Sequence, residues 1–285
     1  MRLLLNIVAC ALSLGTARAQ APAVAERLSF NVAGAFERGA MVVGELRIPT
    51  ANQERLPAVL IVNSSPGFDG RSASYAEALS QAGIATLEID MSQGKGLPLT
   101  ARHHLPHAYQ SLQFLARHPR IDPARVGIMG FSWGGIISLL TSSDELTRQY
   151  SANGLRFAAH LALYPICWRH RAILAGKNSS LKPAVYRRVT GRPVHILVGD
   201  KDGYDVSDDC SKFVAELPAQ VRPHYSVTLY PGATFAWDSL FGSAPYDASA
   251  RGGKGGIVDI VADPTIAKRS REFAVGYFAK NLGAP

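Results

Sequence analysis

Only three cysteines occur in the 285 residues. That scarcity excludes a disulfide-stapled miniprotein and a cysteine-rich zinc fold. Charge is sparse as well. Asp, Glu, Lys and Arg make up 18% of the chain against 47% hydrophobic residues, which excludes a disordered, solvating segment. The net charge is +8, yet no stripe of Lys and Arg with interleaved aromatics is visible, so no nucleic-acid partner is expected. No apolar run reaches the roughly 20 residues of a membrane helix, so no membrane span is expected. No pair of histidines at i, i+4 comes with a third ligand, so no metal is expected, and no cofactor is called for. Internal repeats and low-complexity tracts are absent.

What is present begins with a leader. Met1-Arg2 is a short basic start, Leu3 to Leu14 is an apolar run, and Ala17-Arg18-Ala19 is an A-x-A cleavage site. These features predict a signal peptide over residues 1–19, a mature start at Gln20 and a periplasmic or secreted protein. Removal takes Arg2 and Arg18 with it, and 8 − 2 leaves +6. A lipoprotein modified at Cys10 fits less well, because almost no apolar run precedes Cys10. Export leaves Cys167 and Cys210 in an oxidising compartment. Each follows a predicted strand, and consecutive strands are often neighbours, so the two could pair; two separate buried thiols are the alternative.

From residue 20 to 285 the chain reads as a single α/β domain of alternating strands and helices. Leu28 to Asn31 and Val42 to Ile48 are leading strands, possible as an antiparallel pair. Ala58 to Asn63 is a continuous apolar run, the mark of a strand buried on both faces. Loops are expected over 64–70 and Met91 to Pro98, a helix over Ser74 to Ala82 and a strand over Ala85 to Ile89. Pro106 to Arg117 has helical spacing. Further strands are expected over Ala158 to Tyr164, Val194 to Gly199 and His224 to Tyr230, with an irregular region before Pro193 and a helix over Ser207 to Glu216. A terminal helix over Thr265 to Asn281 is announced by Asp263-Pro264, a cap followed by proline at the first helical position. The Gly-rich stretch 251–256 reads as a surface loop.

The chemistry concentrates at Gly130-Phe131-Ser132-Trp133-Gly134, between a β-branched strand and a helix over Trp133 to Thr141. This is the G-x-S-x-G nucleophile elbow, in which small residues flank a serine held above a parallel sheet. Ser132 is the expected nucleophile. The Trp133 backbone N–H is the expected oxyanion donor, and Ser65, in the loop after Ala58 to Asn63, is the expected second donor, since Pro66 has no N–H. The acid should follow a later strand. Gly199-Asp200-Lys201-Asp202 supplies it, with Asp202 preferred over Asp200 and Asp205.

These blocks, together with Tyr230-Pro231-Gly232-Ala233-Thr234-Phe235-Ala236-Trp237-Asp238, make the chain resemble the dienelactone hydrolase family of α/β-hydrolases over roughly residues 40 to 282. The resemblance implies an α/β-hydrolase fold, a mostly parallel sheet with helices on both faces. It implies Ser132 as nucleophile and Asp202 as acid, and Cys210 also fits exported members. The founding members carry cysteine at the nucleophile, so a small ester or lactone is the implied partner, with esters favoured over dienelactones. The third block ordinarily places the catalytic histidine where this chain has Phe235.

Phenylalanine cannot accept a proton, and the other histidines make poor replacements. His160 and His195 read as core residues inside strands, and His224 lies at the far end of the last strand. His103, His104 and His107 fall in the segment before a helix and read as a polar surface, while His118 and His170 read as surface positions. Two functions follow: a serine ester hydrolase impaired by Phe235, or a non-catalytic relative that keeps its pocket for binding. Position 235 discriminates them.

Overall fold

The computed structural model describes residues 24–32, 41–50, 53–91, 100–178 and 180–284. The expected leader (1–19), the start at Gln20, Cys10 and all of the 91–98 loop except Met91 lie outside the described residues.

β1 (Ala25–Asn31) and β2 (Met41–Arg47) form an antiparallel pair at one edge of the sheet. Next come β3 (Leu56–Val62), α1 (Arg71–Gln81), β4 (Ala85–Asp90), α2 (Ala101–Arg117) and β5 (Ile121–Phe131). α3 (Trp133–Leu140), α4 (Asp144–Tyr150), β6 (His160–Leu163), α5 (Cys167–Leu174), β7 (Val194–Lys201), α6 (Asp209–Glu216) and β8 (Tyr225–Thr234) complete the main sheet. A two-stranded excursion, β9 (Tyr246–Asp247) and β10 (Gly256–Ile257), flanks the short distorted turn α7 (Ala250–Gly253). The terminal helix is α8 (Pro264–Leu282).

The eight strands run β1-β2-β4-β3-β5-β6-β7-β8, with β4 to β8 mutually parallel and only β1 and β2 giving antiparallel pairs. Every residue of β3 and β4 is buried, as a strand covered on both faces requires. The chain steps from β3 to β4 in one direction and then back across β3 to β5. Right-handed crossovers therefore place α1 and α2 on opposite faces. Packing agrees: α1 lies against α8, and α2 against α3 and α4. The direction reverses between β3 and β5. Their C-terminal ends mark the topological switch point, where ligands bind in open α/β sheets.

Three expectations are corrected. α2 starts at Ala101 rather than Pro106, because Ala101, His104 and Leu105 are buried and draw the preceding turn into the helix; Pro106 lies inside it. The region before Pro193 is not wholly irregular. It contains α5, whose first two amides are held by a carboxylate from another loop, with Asp205 accepting from Cys167 N–H (2.6 Å) and Trp168 N–H (2.9 Å). The last strand runs on to Thr234, beyond Tyr230. At the C-terminal helix, Asp263 accepts from the N–H groups of Thr265 and Ile266, so its start is capped locally.

Candidate active site at the strand ends

Ser132 follows the last residue of β5 and precedes α3, with φ 51° and ψ −110°. Its N–H donates to Leu163 O (3.0 Å) at the end of β6, and its carbonyl accepts from Ile136 N–H (2.9 Å), which opens the helix. The Ser132 side chain makes no cap hydrogen bond to α3, so the positive end of the helix is left at the serine. The two flanking glycines are required by close approach. A Cβ on Gly130 would overlap Gly134 O, and one on Gly134 would overlap Val62 O and Asn63 O. The second overlap also shows that the elbow abuts the end of β3. There Ser65 occupies an exposed tight turn, closed by Gly67 N–H donating to Ser64 O (3.0 Å).

Backbone strain gathers at this rim. Ser132, Tyr164, Ile166 and Ala236 all have left-handed φ, at 51°, 39°, 56° and 53°. They stand just past the ends of β5, β6 and β8. Such conformations cost of order 1–3 kcal/mol each in non-glycine residues and persist where surrounding structure fixes them, commonly at functional sites.

The three candidate acids separate by what their oxygens already do. Asp200 accepts from Gly232 N–H (2.7 Å) and so holds the turn within β8. Asp205 spends both oxygens on the start of α5. Asp202 is buried at 6% exposure, and its Oδ1 accepts from Tyr204 N–H (2.8 Å). Its Oδ2 is buried with no hydrogen-bond partner among the described residues. Burial, reinforced by the neighbouring Asp205 charge, pushes the Asp202 carboxyl well above the usual carboxylate range.

Phe235 leaves the sheet beside the same loop. β7 and β8 end on the pair Lys201–Thr234, Asp202 and Phe235 are the residues that follow, and Tyr204, whose N–H Asp202 accepts, packs against the Phe235 ring. The strands approach closely there, since a Cβ on Gly199 would overlap Ala233 O. The Phe235 ring is buried edge-on against Tyr204 (4.6 Å between centroids) and Tyr164 (5.0 Å). A ring without a donor therefore occupies the position next to an acid with an unused oxygen.

Beneath this position lies a buried polar network that the sequence did not announce. Arg71 Nη1 donates to Tyr164 Oη (3.0 Å), Tyr164 Oη donates to Asp238 Oδ1 (2.5 Å), and Tyr75 Oη donates to Asp238 Oδ2 (2.8 Å). Arg71 also pairs with Asp69 (2.7 Å) in the β3–α1 loop. One guanidinium thus ties together the loop carrying Ser65, the end of β6 and the segment carrying Phe235.

The disulfide Cys167–Cys210 joins the starts of α5 and α6, with Cα atoms 4.9 Å apart. It brackets the loop that carries Asp202 and Asp205.

The histidines are distributed differently from expectation. His160 is the first residue of β6, His195 the second of β7, and His224 immediately precedes β8, so all three lie at the opposite end of the sheet from Ser132. His160 is core, as expected, but His195 is only half-buried, bonded to Thr228 Oγ1 (2.9 Å) and Ser226 Oγ (2.6 Å). His103 and His104 belong to α2 rather than to a segment before it, and His104 and His107 are buried rather than a polar surface. His104 Nδ1 lies 3.1 Å from Thr100 O and 3.3 Å from Trp133 Nε1. His170 is fully buried against Tyr186 and Phe213, not at the surface, because α5 packs on α6.

Burial lowers His104 and His160 to about 4 and His170 to about 3. Their folded-state values lie below the unfolded value near 6.5. The stability contribution is therefore complete above about pH 6.5 and is lost as pH falls toward those values. The raised carboxyls of Asp202, Asp205 and Asp238 act in the opposite sense as pH falls, so the imidazoles are read one by one. The ring protons of His104, His160 and His170 should show no NMR titration near the ordinary value of about 6.5, and a midpoint there would contradict the buried neutral imidazoles.

An elbow serine above a mostly parallel, doubly covered sheet places the chain in the α/β-hydrolase superfamily. The Dienelactone hydrolase family profile matches residues 44–253, and the chain belongs to that family. It is 24% identical over 208 residues to a Bradyrhizobium sp. protein described as "Probable 2-oxo-3-(5-oxofuran-2-ylidene)propanoate lactonase", covering 67% of this chain and 77% of that one. Its fold is similar to the crystal structure of dienelactone hydrolase from Anabaena variabilis ATCC 29413 (TM-score 0.60, 19% identity, 92% of this chain and 100% of that one). It is also similar to a dienelactone hydrolase-like promiscuous phosphotriesterase from metagenomic libraries (TM-score 0.64, 19% identity, 92% of this chain and 99% of that one). No helix among the described residues is long and apolar enough to cross a membrane.

Proposed function

We propose that the protein is an exported serine hydrolase of small esters or lactones whose catalytic base position holds Phe235, leaving it impaired. The observation that carries this reading is the adjacency of Asp202 and Phe235, with Asp202 Oδ2 buried and unpartnered among the described residues. An acid that orients an imidazole donates nothing and needs one N–H in return. Asp202 Oδ2 is buried without a partner among the described residues, Asp205 has both oxygens engaged, and Asp200 is tied by its Oδ1 to Gly232 N–H at a more exposed position. The lactonase relative and the phosphotriesterase fold supply the substrate class, acyl or phosphoryl esters open to attack by an activated oxygen. The leader at 1–19 supports the periplasmic or secreted location, with a single domain from 20 to 285.

In the reaction, Ser132 Oγ attacks the ester carbonyl carbon. The Trp133 and Ser65 amides receive the negative oxygen. Collapse expels the alcohol and leaves an acyl-serine, which water then hydrolyses. An imidazole at 235 would take the serine proton in the first step and return it to the alcohol. With Phe235 the proton must pass to solvent, and what remains is the oxyanion hole and binding, about 10³–10⁴-fold over water in a triad enzyme stripped of its triad.

The parent chain should therefore hydrolyse p-nitrophenyl acetate slowly, and Ser132→Ala should change that rate less than tenfold, because the serine is barely activated. Fast parental hydrolysis abolished by Ser132→Ala would show a working base and overturn the impairment.

A further inference from the structure

Leu240 to Tyr246 reads Leu-Phe-Gly-Ser-Ala-Pro-Tyr, seven consecutive exposed residues without a charge. Phe241 is 80% exposed and Tyr246 71%. Backbone hydrogen bonds hold this stretch in place. Ser243 and Ile260 exchange two (3.0 and 2.7 Å), Val258 N–H donates to Pro245 O (2.9 Å), and Tyr246 pairs with Ile257 where β9 meets β10. The result is an antiparallel ribbon. Exposure alternates along it, as on a strand covered on one face. Val258 is buried and Ile260 packs on the core, while Ile257, Asp259 and Val261 face outward. At the near end Leu240 seats on the β3–α1 loop, since a Cβ on Gly70 would lie 2.8 Å from Leu240 Cδ1. That loop carries Phe68, 40% exposed, and follows the strand end beside the elbow. Six of the ten large apolar side chains exposed among the described residues therefore gather on one rim. Scattered singly such residues need no explanation, but gathered they mark a surface that meets an apolar partner.

Charge selects the partner. Arg251 and Lys254 stand exposed in the hairpin between β9 and β10, against the single outward carboxylate Asp259 on the ribbon strand 257–261. Asp247, in the same hairpin, is engaged by Tyr204 Oη (2.8 Å). The whole chain carries +8, which repels a second copy and attracts an anionic surface. We propose that this ribbon docks on an anionic phospholipid surface, with Phe241, Tyr246 and Ile257 in the interfacial layer and Arg251 and Lys254 on the lipid phosphates. Aromatic side chains suit the headgroup level, and docking of this kind needs no spanning helix. The apolar side chains set the requirement for lipid rather than a soluble anion, and the cations set the preference for anionic headgroups.

Co-flotation with vesicles tests the docking. The parent should float with vesicles of phosphatidylcholine and phosphatidylglycerol in equal parts, and roughly tenfold less with phosphatidylcholine alone. Phe241→Ser should weaken binding to the mixed vesicles about tenfold, the scale of withdrawing one large apolar side chain from an apolar layer. Arg251→Gln combined with Lys254→Gln should weaken it by roughly tenfold or more and reduce its salt dependence. Met41→Ser, which removes an exposed apolar side chain from β2 near the opposite edge of the sheet, should leave binding unchanged. Thermal melts confirm that each variant folds. A parent that does not float overturns the proposal, as does a Phe241→Ser variant that binds as the parent does. A parent dimer that Phe241→Ser converts to monomer, without vesicle binding, also overturns it and assigns the rim to a second copy. Docking requires no chemistry at Ser132. A Ser132 inert to phosphonyl probes would therefore defeat the hydrolase reading while vesicle binding stood.

Discussion

Phe235→His should raise hydrolysis of p-nitrophenyl acetate by about 10²–10⁴-fold, the usual contribution of a positioned general base. The exchange asks little of the scaffold. Phe235 and the replacing imidazole are both flat rings, and the walls that hold the phenyl ring, Tyr164 and Tyr204, stay in place. Asp202 Oδ2 is buried with no hydrogen-bond partner among the described residues. Giving it one removes an unsatisfied acceptor, so the variant should also lose some of the upward pull on the Asp202 carboxyl. Steady-state rates beside the parent, with circular dichroism to confirm folding, check the gain. A folded variant no faster than the parent would mean that the base belongs elsewhere.

Adding Asp202→Asn to that variant should then remove most of the gain, up to about 10⁴-fold in kcat, since an amide favours the wrong imidazole tautomer. The comparison that gives this force is Asp200→Asn. Asp200 holds Gly232 N–H in the β8 turn rather than facing an empty donor position, so its loss should cost far less activity. Equal losses from the two substitutions would show that the acid loop acts only as a structural brace.

Much of this was legible in the chain because it is written locally. The buried strand β3 is a continuous apolar run, α8 is announced by Asp263-Pro264, and the elbow lies within five consecutive residues. α4 carries local signals too, with Ser143 accepting from Leu146 N–H and Asp144 and Glu145 in the first turn. α5 was not legible. It follows the left-handed Ile166, and the carboxylate that holds its first amides comes from Asp205, 38 residues downstream of Cys167. The Arg71–Tyr164–Asp238 network was hidden for the same reason, since its hydrogen bonds span 93 and 74 positions. The burial of His104, His107 and His170 is not legible locally, because a polar residue type says little about burial when the helix that carries it packs on its neighbours. The choice among Asp200, Asp202 and Asp205 could be ordered from the strand end alone, but only the hydrogen bonds explain it.

The central claim is that the nucleophile and its surroundings are intact while the base is missing. Labelling of Ser132 by a fluorophosphonate, followed by peptide mass spectrometry over time, tests it most directly. Slow modification of Ser132 is expected in the parent, and modification faster by orders of magnitude in Phe235→His. Rapid labelling of Ser132 in the parent would contradict it, and would point to a histidine near Trp133, such as His104, as the working base.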